Sequence, residues 1–350
     1  MNAVARISLI GVALYPMKKL ALLLVVSATQ VSAAYHVARH INIGGNGGWD
    51  YLAVDSAARR LYVSHSDRVE VVDLDHQKVI GTIPKTEGVH GIAIAPDLRR
   101  GFVSNGRAGT MTIFDLGNLT TIAEVKVTGD NPDAILYDPA TKHVFTFNGR
   151  GKNATVLDGD GKVVGTIPLE GKPEFAVSDR KGHVFVNIED KSEIADIDAK
   201  KLTVEHRWPL APCQEPSGLA IDRAHHRLFS VCDNQKMVVV DDQSGKVIAS
   251  VDIGKGVDGA AFDEQKQMAF SSNGADGTIT VVHEVSPSEF NVVENVATAR
   301  GARTIAVDEK THSVFVPTAK FGPPPEPTPD RPRPRPSILP DTFEVIEVSP

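Results

Sequence analysis

Short apolar runs rich in Val, Ile, Ala and Phe recur along the chain, and Gly, Pro, Asp and Asn break them everywhere. Runs of this length bounded by turn residues predict strands, and they are too short for helices. The pattern also repeats. A Gly- or Pro-containing turn leads into an apolar strand ending near an Asp, and three further strands follow. The first strands read WDYLAVD, HGIAIAP, DAILYDP, EFAVSD, SGLAID, DGAAFD and RTIAVD. Their starts fall on Asp50, His90, Asp133, Glu174, Ser217, Asp258 and Arg303, at spacings of 40, 43, 41, 43, 41 and 45 residues. Four short strands per repeat at this period predict an all-β fold, a seven-bladed β-propeller of four-stranded blades.

The seventh repeat stops after three strands, because FEVIEV is followed only by the last residues of the chain. Residues 36–43, HVARHINI, stand before Gly44 and Gly45 as the fourth strands stand before later turns. The N-terminal strand is therefore expected to complete the last blade and close the ring, which removes an edge open to aggregation. One propeller should span residues 34–350. A Pro-rich insertion over 320–340 interrupts its last blade. Within it, eight prolines in residues 321–336 imply extended, polyproline II-like chain, with Arg331, Arg333 and Arg335 alternating with proline.

Ahead of the repeats, Lys18 and Lys19 precede the apolar run at 20–26, and Val31, Ser32 and Ala33 follow it. This is the layout of a secretory signal peptide over residues 1–33, with the segment before Met17 an upstream extension. The run is well short of the roughly 20 residues that span a bilayer. The expected location is periplasmic or secreted. Without residues 1–33, which carry Arg6, Lys18 and Lys19 and no acid, 34 basic side chains face 44 acidic ones, a formal charge of −10. Such a chain repels polyphosphate, so nucleic acid is not the expected partner. The even cysteine count in an exported chain suggests a disulfide between Cys213 and Cys232, both placed by the repeats on one face of blade 5.

The stretches GGWDYLAVD, GVHGIAIAPD, FVSNGR, NPDAILYDP, FTFNGR, KPEFAVSD, EPSGLAID, FSSNGADGTITVVHE and RGARTIAVD resemble the exported YncE-like family of YVTN-type propellers, from about residue 35 to the end. The resemblance implies the propeller fold and leaves the activity open, since such propellers serve as binding scaffolds, in enzymes and in surface structures.

First-strand starts and second-strand ends share one face of a propeller and ring the mouth of its central channel. The inner ring is Asp50, His90, Asp133, Glu174, Ser217, Asp258 and Arg303; the second holds His65, Asn105, Asn148, Ile188, Cys232, Asn273 and Thr318. Converging polar groups in a concavity predict a ligand site, here Asp50, His65, His90, Asn105, Asp133, Asn148, Glu174, Asp258, Asn273 and Arg303. A divalent metal is a candidate cofactor, with His65 and His90 as its ligands, although no tight ligand motif supports it. Trp49 and Arg300 flank the same face. His143, His183, His225 and His226 fall in turns on the opposite face, where solvated side chains are expected. His283 replaces the Asp that ends most third strands. The glycines at 44, 45, 47 and 48 precede a strand with no helix after it, so they form a turn rather than a phosphate cradle.

The expected function is a monomeric, non-catalytic binding or scaffold propeller that takes a small molecule or a protein at the channel-mouth face. The alternative is a propeller enzyme, a lyase or lactone hydrolase, working through a channel-mouth His with carboxylates or a metal.

Overall fold

In the computed structural model, residues 34–328, 334 and 336–350 are described. The expected signal peptide and the three arginines at 331, 333 and 335 lie outside these residues. Seven antiparallel four-stranded sheets form a ring. Six of them are continuous in sequence, from blade 1, Leu52–Asp55, Arg60–His65, Arg68–Asp73 and Lys78–Pro84, to blade 6, Val257–Asp263 through Glu289–Ala297. In blade 7, Ala306–Asp308, Ser313–Thr318 and Glu344–Ser349 are completed by His36–Asn42. That strand pairs from His36 opposite Ser349 to Asn42 opposite Glu344, so the first strand of the chain closes the ring on the last. Among the described residues no helix is long and apolar enough to cross a membrane.

Burial explains why second and third strands are nearly continuous apolar runs. Arg60–His65 and Arg68–Asp73 are buried over most of their length, whereas the outer strand Lys78–Pro84 is largely exposed. Inner strands are covered on both faces by the neighbouring blades. The core is accordingly divided into seven apolar clusters, one at each junction between blades. Tyr62, Val69 and Val71 of blade 1 meet Ile92, Val103 and Phe114 of blade 2. At the closing junction Ile41 lies with Leu61, Val63 and Phe315.

The Asp at the end of a third strand makes the turn that follows. One carboxylate oxygen of Asp73 accepts the N–H groups of Asp75 and His76 at 2.9 and 2.8 Å, and Asp115 does the same for Gly117 and Asn118. In blade 6, where His283 stands at that position, the third strand runs on to Ser286 before the chain turns back. The glycines before blade 1 are a turn as expected, with Gly44, Gly45 and Gly47 at φ of +71, +78 and +115°. The Pro-rich insertion leaves blade 7 after Thr318 and returns before Glu344, with its base pinned by a β-bridge between Phe321 and Ile338. Cys213 and Cys232 are disulfide-bonded, their Cα atoms 5.5 Å apart.

Two stability measurements check this account. Ile41 is 1% exposed, so Ile41→Ala should destabilise the whole ring by about 2–5 kcal/mol in chemical denaturation, whereas loss confined to a fraying N-terminus would leave the global transition unmoved. Replacing both cysteines by alanine should lower stability by about 3 kcal/mol, the chain-entropy value for a loop of this size, with an unchanged far-ultraviolet spectrum.

Candidate ligand site at the channel mouth

Local backbone geometry aims the inner ring at the axis. In blades 2 to 6 the innermost strand slips register against the second strand at its start, for example between Val89 and Ile92 and between Pro132 and Ile135. Such bulges redirect side chains and loosen pairing. His90, Asp133, Glu174, Ser217 and Asp258 occupy these bulges. Gly218 is required in one of them, because a Cβ there would come within 2.5 Å of the Ala260 backbone nitrogen in the next blade. Small polar side chains of the second strands satisfy the backbone groups that the bulges free. Ser64 Oγ accepts the Asp50 N–H at 2.7 Å, Ser104 Oγ accepts the Gly91 N–H at 2.9 Å, and Asn187 Nδ2 donates to the Ser217 and Gly218 carbonyls at 3.0 Å each.

The ring residues then form one ionic cluster. His90 Nδ1 lies 2.5 Å from Asp50 Oδ2 and 3.6 Å from Asp133 Oδ1. Arg303 donates from Nε to Asp258 at 2.7 Å and from Nη2 to Asp50 at 3.2 Å, so it ties blades 6, 7 and 1 together. Lys172 reaches Glu174 at 2.6 Å and also pairs with Glu189. Tyr51 fills the axis beside them. It projects from blade 1 to Phe175 of blade 4, with ring centroids 5.1 Å apart, and it packs among the buried residues of blades 3 and 4. The channel is thereby a cup rather than an open tunnel at this level.

Electrostatics follow from crowding four carboxylates around a dry axis. Burial opposes charging of His90, but the hydrogen bond to Asp50 and the fields of Asp133 and Asp50 prevail and raise its pKa to about 9. Burial and the neighbouring Asp133 outweigh Lys172 and push Glu174 up to about 8. Asp133 is raised to about 6, by burial first and then, against the pull of His90, by Asp50 and Asp258. Burial likewise raises Asp258 in spite of Arg303. Tyr51 is held firmly protonated, by burial and by the same carboxylates.

The second ring does not join this cluster. Asn105, Asn148 and Asn273 are fully buried and bond the third strand of their own blade. Asn105 Nδ2 donates to Thr110 and Thr112 at 3.0 and 2.8 Å, Asn148 Nδ2 to Asn153 and Thr155 at 2.7 and 2.9 Å, and Asn273 Nδ2 to Thr278 and Thr280 at 3.1 and 2.9 Å. His65 is also buried, its ring tilted against Phe343 with centroids 4.4 Å apart and Arg68 Nη2 3.0 Å from its Nδ1. These four residues are corrections to the expected site. A polar residue ending a buried strand turns into its own hairpin when a hydroxyl or guanidinium partner is waiting there. The histidines of the opposite face are part-exposed, and each also has a protein partner. His183, His225 and His226 each meet a carboxylate, of Asp196, Asp222 and Asp242 respectively, and His143 Nδ1 lies 3.3 Å from the Ala199 carbonyl.

A divalent ion at the mouth would have Asp50, His90 and Asp133, whose ligand atoms lie within 4.8 Å of one another. His65 is not among them. The fit is poor because the Arg303 guanidinium, 3.2 Å from Asp50 Oδ1, already supplies a cation to this acid cluster. Gly106 leaves room for the His90 ring, because a Cβ there would come within 2.5 Å of Nε2. Sequence reading also missed Tyr51 and Lys172. Lys172 stands two residues before Glu174, but only the fold shows that it shares that carboxylate.

Beside Arg303 the mouth opens into a cavity of about 430 Å³. Trp49, Phe321, Pro336 and Ile338 give it apolar walls, while Arg300 and Arg303 line its polar side. Trp49 is stacked on Phe343 at 5.3 Å and lies 6.1 Å from Phe321, so the base of the Pro-rich insertion forms part of the wall.

The class is thus a seven-bladed β-propeller with an ionic cup on its axis. In structure it is similar to hydrazine synthase of Kuenenia stuttgartiensis, with a TM-score of 0.68 over 80% of this chain and 94% of that one, at 16% identity. That likeness shows the fold alone, and with 1819 solved chains matching the architecture singles out no activity. No family model and no curated protein matches the sequence.

The cluster predicts a pH dependence. A group with a raised pKa contributes its stabilisation fully below its unfolded value, about 6.5 for His, 4.3 for Glu and 3.9 for Asp. It loses that contribution as pH rises through its folded value. His90, Glu174 and Asp133 all act in this sense, so the melting temperature should fall from about pH 4 to about pH 9, with Asp133 spent by about pH 6 and Glu174 and His90 carrying the fall above it. Glu174→Gln should flatten that fall and raise the melting temperature at pH 9. A profile that rises across this range would contradict the assignment.

Proposed function

We propose that this protein is an exported, YncE-like binding propeller whose ligand is a small organic anion with a flat apolar body, held in the cavity at the channel mouth. The observation that carries this reading is the pairing of aromatic walls, Trp49 and Phe321, with two guanidiniums, Arg300 and Arg303, in one concavity. Arginine in a partly dry site suits a carboxylate, which it binds through paired N–H donors, and a planar ring stacks on indole. The acid cluster behind Arg303 holds that side chain in place from Asp258 and Asp50, so it meets a ligand already oriented. Export is supported by the segment at 1–33 and accords with the disulfide. The closed ring accords with a monomer.

The enzymatic alternative rests on the same cup, where Glu174 and His90 retain protons near neutrality. Binding is favoured over catalysis because His90, held protonated beside Asp50 and Asp133, is a poor base near neutrality. Lactone hydrolysis or elimination that disappears in His90→Gln would reverse that preference.

The binding reading is tested in a Trp208→Phe background, which leaves Trp49 as the sole tryptophan. Naphthalene-2-carboxylate should change its emission saturably, the neutral 2-naphthalenemethanol should bind at least tenfold more weakly, and Arg300→Ala should erase that preference. Equal binding of acid and alcohol, or binding indifferent to both Arg300→Ala and Phe321→Ala, would overturn the proposal.

A further inference from the structure

On the face opposite the mouth, three side chains from two blades meet without balancing one another's charge. Asp222 ends the innermost strand of blade 5, His225 sits in the turn after it, and Glu284 lies near the end of the third strand of blade 6. His225 Nδ1 is 2.6 Å from Asp222 Oδ2 and 3.3 Å from Glu284 Oε1. The Glu284 side chain is 1% exposed, and among the described residues neither of its oxygens accepts a hydrogen bond of good geometry, its polar neighbours being His225 and Asp222. A buried carboxylate without donors is rare, because its lost hydration goes uncompensated.

Neighbouring junctions make the departure plain. At three other junctions the Asp that ends the innermost strand receives a donor from the next blade. Asp138 receives the Ser178 hydroxyl at 2.6 Å, Asp263 the imidazole of His312 at 2.8 Å, and Asp308 the guanidinium of Arg59 at 2.5 Å. At the junction of blades 5 and 6 the next blade brings an acid instead. Arg227 lies close enough to favour the charged form of Glu284, but its guanidinium is committed to Asp241 at 2.7 Å and to the Pro287 carbonyl at 2.7 Å.

We propose that Asp222, His225 and Glu284 are the ligands of a divalent metal ion of the zinc class. Each offers one ligand atom, and the three lie within 4.8 Å of one another. Donors about 2.0 Å from a tetrahedral ion stand about 3.3 Å apart, so the 2.6 and 3.3 Å separations need only a small expansion at Asp222. One imidazole and two carboxylates form a mixed nitrogen and oxygen set of the kind that Zn²⁺ takes. The set is pre-oriented from behind. Asp222 Oδ1 accepts the Ala224 N–H at 2.8 Å, which leaves Oδ2 turned to the centre. The half-exposed His225 gives a path in, and water completes the fourth position.

The test uses untagged full-length protein stripped with a chelator and titrated with ZnCl₂ alone. Calorimetry should show one site per chain, proton release on binding, and a rise in melting temperature. Glu284→Gln and His225→Ala should each weaken that site at least tenfold. The exposed His225 position keeps the test open should Glu284→Gln fail to fold. His183→Ala, in the cluster with Asp196 on blade 4, and Asp133→Asn at the mouth should leave the site intact. No Zn²⁺ binding, binding unchanged in both Glu284→Gln and His225→Ala, or binding abolished by His183→Ala or Asp133→Asn would overturn the proposal.

Discussion

The pairing of His36–Asn42 with Glu344–Ser349 makes every other feature of the molecule possible. A blade of this protein has no core of its own. Its apolar faces are buried only against its two neighbours, so an open row of seven would leave two terminal faces in water and one junction cluster unmade. Joining the two ends of the chain in one sheet turns that row into a ring in which every blade is covered. It also couples Ile41, near the N-terminus, to Leu61 and Phe315, which lie in blades 1 and 7. Stability in such an assembly is a sum of interfaces, and its cooperativity depends on closure.

Closure imposes a second constraint on the axis. Seven equivalent strand starts converge there, and in this chain four of them are acids. Mutual repulsion of Asp50, Asp133, Glu174 and Asp258 in a dry space would oppose ring formation were the remaining positions neutral. Arg303 and His90 occupy two of the other ring positions, Lys172 approaches Glu174 from the preceding turn, and Tyr51 crosses the axis among them. The pKa values of Glu174 and Asp133 stay raised, by burial first and then by the repulsion these partners leave. The result is a rigid ionic floor. Arg303 is part of that floor, and with Arg300 it lines the aromatic-walled cavity beside it.

The two faces of the ring are built differently. At the mouth, bulges turn the strand starts inward and leave a concavity whose wall includes the base of the Pro-rich insertion. On the other face, Asp side chains cap turns and at three junctions accept a donor from the next blade, whereas Glu284 brings an acid towards Asp222. A repeat protein makes such departures legible, because the three junctions that share the bond supply the standard against which this one is judged.

The period of the strands, the three-stranded last repeat and the pairing of Cys213 with Cys232 were all readable in the linear chain. Alternation and turn chemistry are local properties, and closure follows from counting strands. Inner-ring residues were legible for the same reason, since each opens a first strand. What only the tertiary structure decided is where side chains at equivalent repeat positions point. His65, Asn105, Asn148 and Asn273 end second strands as regularly as the inner ring opens first ones. They turn into their own blades because Thr112, Thr155, Thr280 and Arg68 offer partners there. Tyr51, Lys172 and Glu284 gave no signal, because their significance lies in groups far away in sequence, in Phe175, Glu189 and Asp222. Backbone repetition is written in the order of residues, whereas the balance of buried charge depends on which side chains the closed ring brings within reach of one another.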